Sequence, residues 1–336
     1  MRSVLARPLT RLLGAGVAVV LVALVWFLLQ VFPLGGSGRL VIVTVHRGDS
    51  VATIANEMHV LGVIHSPLAF RLDIAMLGAP IVQPGSYRIA QNSSFASVRS
   101  IFGAPPNVQV VDVTPGLTLN EVALAIASDK GNSFADSFVQ DAGRAADVSA
   151  YHPRGSLEGL IGVGSYILTP QETPSSLLAR MTATFAREAS SVGLTPQSNV
   201  NGLNAYQLVT AASIVEREGY YQVNMARVAR VIFNRLQRGQ HLQMDATVTY
   251  YFHQDGGPVT AAMLRANTPY NTYLYPGLTP TPICSVSSAA LHAVLHAPPG
   301  PWLYFVLVNK DGTMAFSTTF DQQLANERLA ASRGLG

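Results

Sequence analysis

Tyr206-Gln207-Leu208-Val209-Thr210-Ala211-Ala212-Ser213-Ile214-Val215-Glu216-Arg217-Glu218-Gly219 decides how the rest of the chain is read. Apolar residues at 208, 211, 212 and 215 keep the spacing of one buried helical face. Asn204 is placed to cap the start and Gly219 to end it. Glu216 follows Ala212 and Ser213 by one turn, on a strip that runs back through Val209 and Ala205. Small neighbours leave room above that carboxyl group. An acid on an apolar strip loses hydration, which raises its pKa and keeps a proton available near neutral pH. The spacing does not separate Glu216 from Glu218, which follows Ile214 and Val215. A glutamate in the last turn of a helix is also commonly a solvated surface acid, so the helix alone leaves its role open.

The chain of 336 residues has room for a membrane segment and about two domains. Only 12% of residues are charged, against about 25% in an average domain. The net charge of +3 comes from Arg2, Arg7 and Arg11; without them basic and acidic side chains balance. No basic stripe points to nucleic acid. Cys284 is the single cysteine, so no internal disulfide forms.

Leu12 to Phe32 carries no charge and, as a helix, reaches about 30 Å, the thickness of a bilayer core. Trp26 and Phe27 lie towards its outer end. Three arginines before it and none directly after predict residues 1–11 in the cytoplasm, a transmembrane helix over 12–32, and everything after Gly35 outside. A cleaved signal peptide has a shorter apolar region, about 7–15 residues, and the anchor reading is preferred. Residues 35–38 make a short tether.

The expected fold class beyond the anchor is α+β. Leu40–Val45 reads as a strand leading into Gly48-Asp49-Ser50 and a helix from Val51. A second helix is predicted over Ser66–Leu77, a strand over Gly85–Ala90 and a helix over Phe95–Phe102. The strand-Gly-Asp-Ser-helix opening resembles a LysM module, a peptidoglycan-binding unit, and sets a small LysM-like domain at 40–105. A small α+β domain without a ligand fits the same pattern. Pro105-Pro106 marks a break, and 106–155, with a strand at Val108–Val113 and a helix at Leu119–Ser128, reads as a connector.

The larger domain, 156–336, has predicted helices near 175–192, 223–236 and 289–296, and strands at 302–306 and 314–317. His292 and His296 stand four apart on one of these helices, a spacing compatible with a metal pair, but no third ligand accompanies them. Neither a metal nor another cofactor is implied.

Four blocks in order carry a family resemblance: Ala212-Ser213-Ile214-Val215-Glu216, Asn234-Arg235-Leu236, Leu242-Gln243-Met244-Asp245 and Pro269-Tyr270-Asn271-Thr272-Tyr273. With the anchor and the small domain, residues 12 to 325 resemble the endolytic murein transglycosylases, the YceG-like family of single-pass inner-membrane enzymes. The resemblance implies a lytic transglycosylase that cuts the β-1,4 bond between N-acetylmuramic acid and N-acetylglucosamine and leaves 1,6-anhydro ends. It puts the catalytic acid on Glu216, not Glu218. Gln243, Asp245, Tyr270, Asn271 and Tyr273 are then expected around the glycan, through ring stacking and amide hydrogen bonds. An Arg235–Asp245 pair holding helix to loop is the alternative use of those two residues. The implied partners are peptidoglycan glycan strands, the inner membrane and peptidoglycan synthases, with a catalytic domain in the periplasm and a role in ending strand growth.

The chain departs from the family pattern at Gly164, where an acidic residue is usual, and at Ala246, where Asp-Pro-Thr-Val is usual. It departs again at Thr279 and Thr281, at Cys284-Ser285-Val286, and at Ser317-Thr318-Thr319-Phe320, where a histidine motif is expected. These leave two competing expectations open: a non-catalytic wall-binding scaffold, and a hydrolase pairing Glu216 with Asp245 at about 5–10 Å.

Overall fold

A computed structural model describes the backbone of residues 6–146, 149–152, 154–169, 171–219, 221–254 and 257–335, with side chains from residue 16 onward except 145, 146 and 154. Arg2 therefore lies outside the described residues, as do the side chains of Arg7 and Arg11. The chain divides into two compact units, Met1–Val110 and Val111–Gly336.

The first unit opens with helix α1 (Ala6–Val31). Among the described residues no helix is long and apolar enough to cross a membrane. The described side chains of α1 begin at residue 16, and Val17, Val19, Val20, Val22 and Leu24 among them are exposed. Strand β1 (Leu40–Val45) is followed by α2 (Val51–Val60), α3 (Pro67–Leu77), β2 (Gly85–Ala90) and α4 (Phe95–Phe102). The two strands pair antiparallel, Leu40 opposite Ala90 and Val45 opposite Gly85. Ser50, Ser66 and Ser94 cap the three helices through their hydroxyl oxygens. Val43, Met58, Phe70, Tyr87, Ile89 and Phe95 form the core. Buried Asp73 is neutralised by an ion pair with Arg99, which satisfies a carboxylate that would otherwise be stranded.

The second unit is built on helices. β3 (Gln109–Val113), α5 (Leu119–Lys130) and α6 (Asn132–Gly143) come first, then the short strands β4 (Ala145–Ala146) and β5 (Arg154–Gly155). β6 (Gly164–Leu168) pairs with β3, and α7 (Pro174–Ser191) follows. Val111, Val113, Leu119, Ile126 and Phe138 sit in the same core as α7 and its successors, so residues 111–143 pack as part of this unit. Gly164 has φ +147°, a conformation that L side chains rarely adopt, although a Cβ there would meet nothing within 4 Å. An aspartate at that point would be strained by its backbone and not by its surroundings.

β7 (Asn199–Val200) and β8 (Leu203–Asn204) form a tight hairpin that hands the chain to α8 (Ala205–Glu218). Asn204 and Gln207 make a reciprocal capping box at its start. Ala205 and every residue from Leu208 to Val215 are buried, so α8 is the core helix of the unit. Its first turn, at Tyr206 and Gln207, and its last turn, at Glu216, Arg217 and Glu218, emerge. α9 (Gln222–Gln237), α10 (Asp245–Tyr251), α11 (Ala261–Leu264) and α12 (Ser288–Leu295) continue around it. A hairpin of β9 (Tyr304–Leu307) and β10 (Met314–Ser317) pairs Tyr304 with Ser317, and α13 (Phe320–Ser332) packs on that hairpin.

Candidate active site

The last turn of α8 sends its two glutamates to different places. Glu216 is half-buried, and its Oε2 accepts hydrogen bonds from Ser287 N–H at 2.8 Å and Ser287 Oγ at 2.6 Å. Ser287 is the residue that caps α12, so Glu216 fastens that helix to α8. A carboxylate at a helix N-terminus is stabilising there. Glu216 is not among the described residues lining a cavity between α8, α9 and α13.

Glu218 does line it. This open cavity of about 380 Å³ is bordered by Glu218, Arg235, Gln243, Asp245, Tyr273 and Tyr304, and by residues of α13. It falls in the size range of small-molecule sites, about 300–1,000 Å³. Burial pushes the Glu218 carboxyl up to about 7, and the charge of Asp245 adds to the rise. The Ala246 N–H, which donates to Glu218 Oε1 at 3.2 Å, and the Arg217 charge act the other way. Tyr273 donates its hydroxyl hydrogen to Asp245 Oδ1 at 2.6 Å. Burial, then that bond to Asp245, raises the tyrosine's own pKa.

Arg235, in α9, holds the floor. Its Nε donates to Leu303 O at 2.7 Å, and its Nη1 to Leu242 O at 2.7 Å, His241 O at 3.0 Å and Gln243 Oε1 at 3.1 Å. The guanidinium sits 4.9 Å from the Tyr304 ring centroid. Arg235 thus binds loop carbonyls and Gln243 among the described residues, and makes no ion pair with Asp245. Gln243 itself has φ +54°, a left-handed conformation uncommon outside glycine, and its N–H donates to Thr272 O at 3.1 Å. Strained backbone of this kind clusters at functional sites.

The structure therefore brings together Gln243, Asp245 and Tyr273 of the expected residues, and leaves Glu216, Tyr270 and Asn271 elsewhere. Asn271 is fully buried; its Nδ2 donates to Leu264 O and Ala266 O at 2.9 Å, and its Oδ1 accepts from Tyr273 N–H at 3.0 Å. It shapes the loop that presents Tyr273 and has no face for a ligand. The Tyr270 hydroxyl pairs with Thr281 Oγ1 at 2.9 Å, and its ring packs 5.1 Å from that of Tyr250. Asp245 lines the cavity, and Glu216 is not among the described residues lining it. Among the described residues no group of three or more His, Cys, Asp or Glu could hold a metal ion.

Sequence reasoning passed over Tyr304 and the α13 residues, and weighed Glu218 only as the alternative to Glu216. Glu218 was visible as the second acid of the Glu-Arg-Glu run. Residues two apart on a helix point about 200° apart, so only one of the pair could share the cavity with the 243–245 loop. α13 carried a signal too, in the Thr319/Gln322 capping box that starts it.

An acid whose burial lifts its pKa to about 7, set in an open cleft beside a hydrogen-bonded aspartate–tyrosine pair on a mixed α/β scaffold, is the kind of arrangement acid–base chemistry uses. The particular lineage follows from comparison: the chain belongs to the YceG-like family, whose sequence profile matches residues 43–329. It is 27% identical over 316 residues to the endolytic murein transglycosylase of Bacillus subtilis (strain 168), covering 87% of this chain and 85% of that one. The endolytic murein transglycosylase of Streptococcus pneumoniae serotype 2 (strain D39 / NCTC 7466) is 24% identical over 313 residues, 84% of this chain and 56% of its own length. The crystal structure of a yceG-like protein from Listeria monocytogenes superposes with a TM-score of 0.52 at 21% identity, covering 86% of this chain and 99% of that one, which establishes a common fold.

Proposed function

We propose that this chain is an endolytic murein transglycosylase whose acid and base is Glu218. The observation that carries the reading is the Glu218 carboxyl on the cavity wall with its pKa lifted to about 7, so that it holds a proton to give near neutral pH. The substrate is a peptidoglycan glycan strand. Glu218 protonates the oxygen of the β-1,4 bond between N-acetylmuramic acid and N-acetylglucosamine, and the bond from that oxygen to the muramic acid anomeric carbon breaks. The oxocarbenium-like charge that develops is met by the substrate's own acetamido group. Glu218, now a carboxylate, takes the proton of the muramic acid 6-hydroxyl as that oxygen closes on the anomeric carbon. A 1,6-anhydro end results, no water is consumed, and the acid regains its proton.

The charge of Asp245, held in place by the Tyr273 hydroxyl, lies beside the acid and supports its protonated form before the reaction. Arg235 and Gln243 fix the loop that carries Asp245. The strand–helix–helix–strand order of residues 40–90 supports a LysM-like, wall-binding role for the first unit. The uncharged run Leu12–Phe32 supports a single-pass anchor with the remaining chain in the periplasm, near newly made glycan and the synthases that extend it.

Digestion of purified glycan strands tests this reading. Wild-type protein should release 1,6-anhydro ends, Glu218→Gln should release none, and Glu216→Gln should still cut; the reverse result would put the acid on Glu216, where the family resemblance puts it. Reducing ends in place of anhydro ends would make the protein a hydrolase, with Asp245 as the second carboxylate of the same cavity. Intact strands from wild-type protein would leave a binding scaffold.

A further inference from the structure

The first unit leaves a run of apolar side chains uncovered. On α3, Leu68, Leu72 and Met76 stand at i, i+4 and i+8, one stripe of the helix, while Phe70 and Ile74 turn to the core. Leu77 and Ile81 carry the exposed run past the end of the helix. Met76 is 63% exposed, Leu77 66% and Ile81 90%. From Leu72 to Pro84 the one charged residue is Asp73, which is buried and paired with Arg99, so no exposed charge interrupts the run. Apolar residues scattered singly over a surface are ordinary, whereas a continuous group of them marks a contact site.

What covers this face follows from α1. Phe27 and Val31 pack against the core of the first unit, and α1 adjoins α3 and α4. Every residue from Gly16 to Trp26 is exposed, so the helix projects from the unit and only its last turns are seated. The link behind it is fastened. Gly38 N–H donates to Gln91 O at 2.8 Å, and Asn92 Nδ2 donates to Leu34 O at 3.1 Å and to Gly36 O at 3.2 Å. Phe27 lies inside the uncharged run Leu12–Phe32, about 8 Å of helix short of its end. When that run spans a bilayer core of about 30 Å, the unit is seated on a part of α1 that lies within lipid. α3, beside it, is then held at the boundary of acyl chains and headgroups. From Pro33 to Pro105 there are five arginines against three acids, a balance suited to an anionic lipid surface. We propose that Leu68, Leu72, Met76, Leu77 and Ile81 dip into the outer leaflet of the bilayer that α1 crosses. This docking rests on the single-pass anchor reading. It holds the first unit to the membrane twice, by one helix through the lipid and by a second lying on it.

Spin labels on the full chain in vesicles of phosphatidylethanolamine and phosphatidylglycerol test it. The label is attached to Met76→Cys, to Ile81→Cys or to Val20→Cys, one at a time. All three positions are exposed, so the substitutions remove no packing, and Cys284 is fully buried and stays unlabelled. Power saturation then compares collisions with oxygen, which dissolves in lipid, and with a nickel chelate, which stays in water. Oxygen should dominate at 20, 76 and 81 alike, with 20 the deepest. A label at 76 or 81 that meets the nickel chelate freely, while 20 answers to oxygen, overturns the docking and keeps the anchor. Labels at 76 and 81 sheltered from both reagents would show a protein cover in place of lipid, which also overturns it. A label at 20 that meets the nickel chelate removes the anchor and the docking together.

Discussion

The Tyr273 hydroxyl donates to Asp245 Oδ1 across 2.6 Å, at the rim of the cavity that Glu218 lines. A bond to a charged acceptor contributes about 1.5–3 kcal/mol. It holds the aspartate where its charge acts on Glu218. Tyr273→Phe should therefore slow anhydro-end release by about 10–100-fold with the fold intact. Asp245→Asn removes a charge that raises the Glu218 pKa. The high-pH limb of the rate profile should then move to lower pH, which initial rates between pH 5 and 9 would reveal.

The two acids of α8 predict opposite phenotypes. Glu218→Gln should cost about 10²–10⁴-fold or more in rate at little cost in stability. Glu216→Gln weakens the tie to Ser287 and should lower unfolding free energy by about 1–2 kcal/mol while strands are still cut. Denaturant melts beside product analysis separate the two. Because Glu218 must be protonated to act, wild-type activity should fall as pH rises through about 7.

Ala246 stands where the family pattern usually has proline, and its N–H donates to Glu218 Oε1 at 3.2 Å. Proline has no such hydrogen, and the second residue of α10 tolerates it. That hydrogen bond lowers the Glu218 pKa. Ala246→Pro should thus raise it, and the high-pH limb should shift upward, the reverse of Asp245→Asn. An unmoved limb in a folded Ala246→Pro protein would mean that the backbone donor does not set the acid.

A second buried acid governs stability. Glu158 is 4% exposed, and it accepts from Leu119 N–H at 3.2 Å and from the Tyr250 hydroxyl at 3.0 Å. Burial pushes its carboxyl from 4.5 up to about 7. The folded state then binds this proton more tightly than the unfolded chain. Its contribution is full below pH 4.5 and is lost as pH rises through about 7, a change of order 3 kcal/mol at most. Glu218 adds a change of the same sign. Glu158→Gln keeps both hydrogen-bonding positions without the charge, so urea midpoints at pH 5 and pH 8 should lie closer together in the variant than in wild type.

Local signals carried most of the fold. Ser50 announces its helix by capping chemistry and Pro67 opens the next, and the strand at 40–45 follows from its β-branched run. α6 was hidden because Asn132–Gly143 is rich in small and polar residues and buries only Ala135, Phe138 and Ala142. α10 was hidden because Asp245–Tyr251 is short and β-branched, and is held in place by Glu218 and Tyr250 contacts that no local pattern encodes. At the site, block order led to the right neighbourhood, since Gln243, Asp245 and Tyr273 share the cavity. It put the acid on Glu216, while the spacing along the helix did not separate that residue from Glu218. Along α8 everything from Leu208 to Val215 is buried, so no polar stripe marks which side of the helix meets the cavity. Asn271 shows the opposite limit: a polar residue in a polar motif, wholly spent on its own loop.

α10 is only 7 residues long, yet it is clasped at both ends by acids that keep their protons to about pH 7: Glu218 at Ala246 and Glu158 at Tyr250. It works as a ruler between them. Adding or deleting one residue would rotate the ruler by about 100° and unhook Asp245 from Tyr273 and Tyr250 from Glu158 in a single step. The spacing between Asp245 and Tyr250 is therefore as much a part of the site as the side chains themselves.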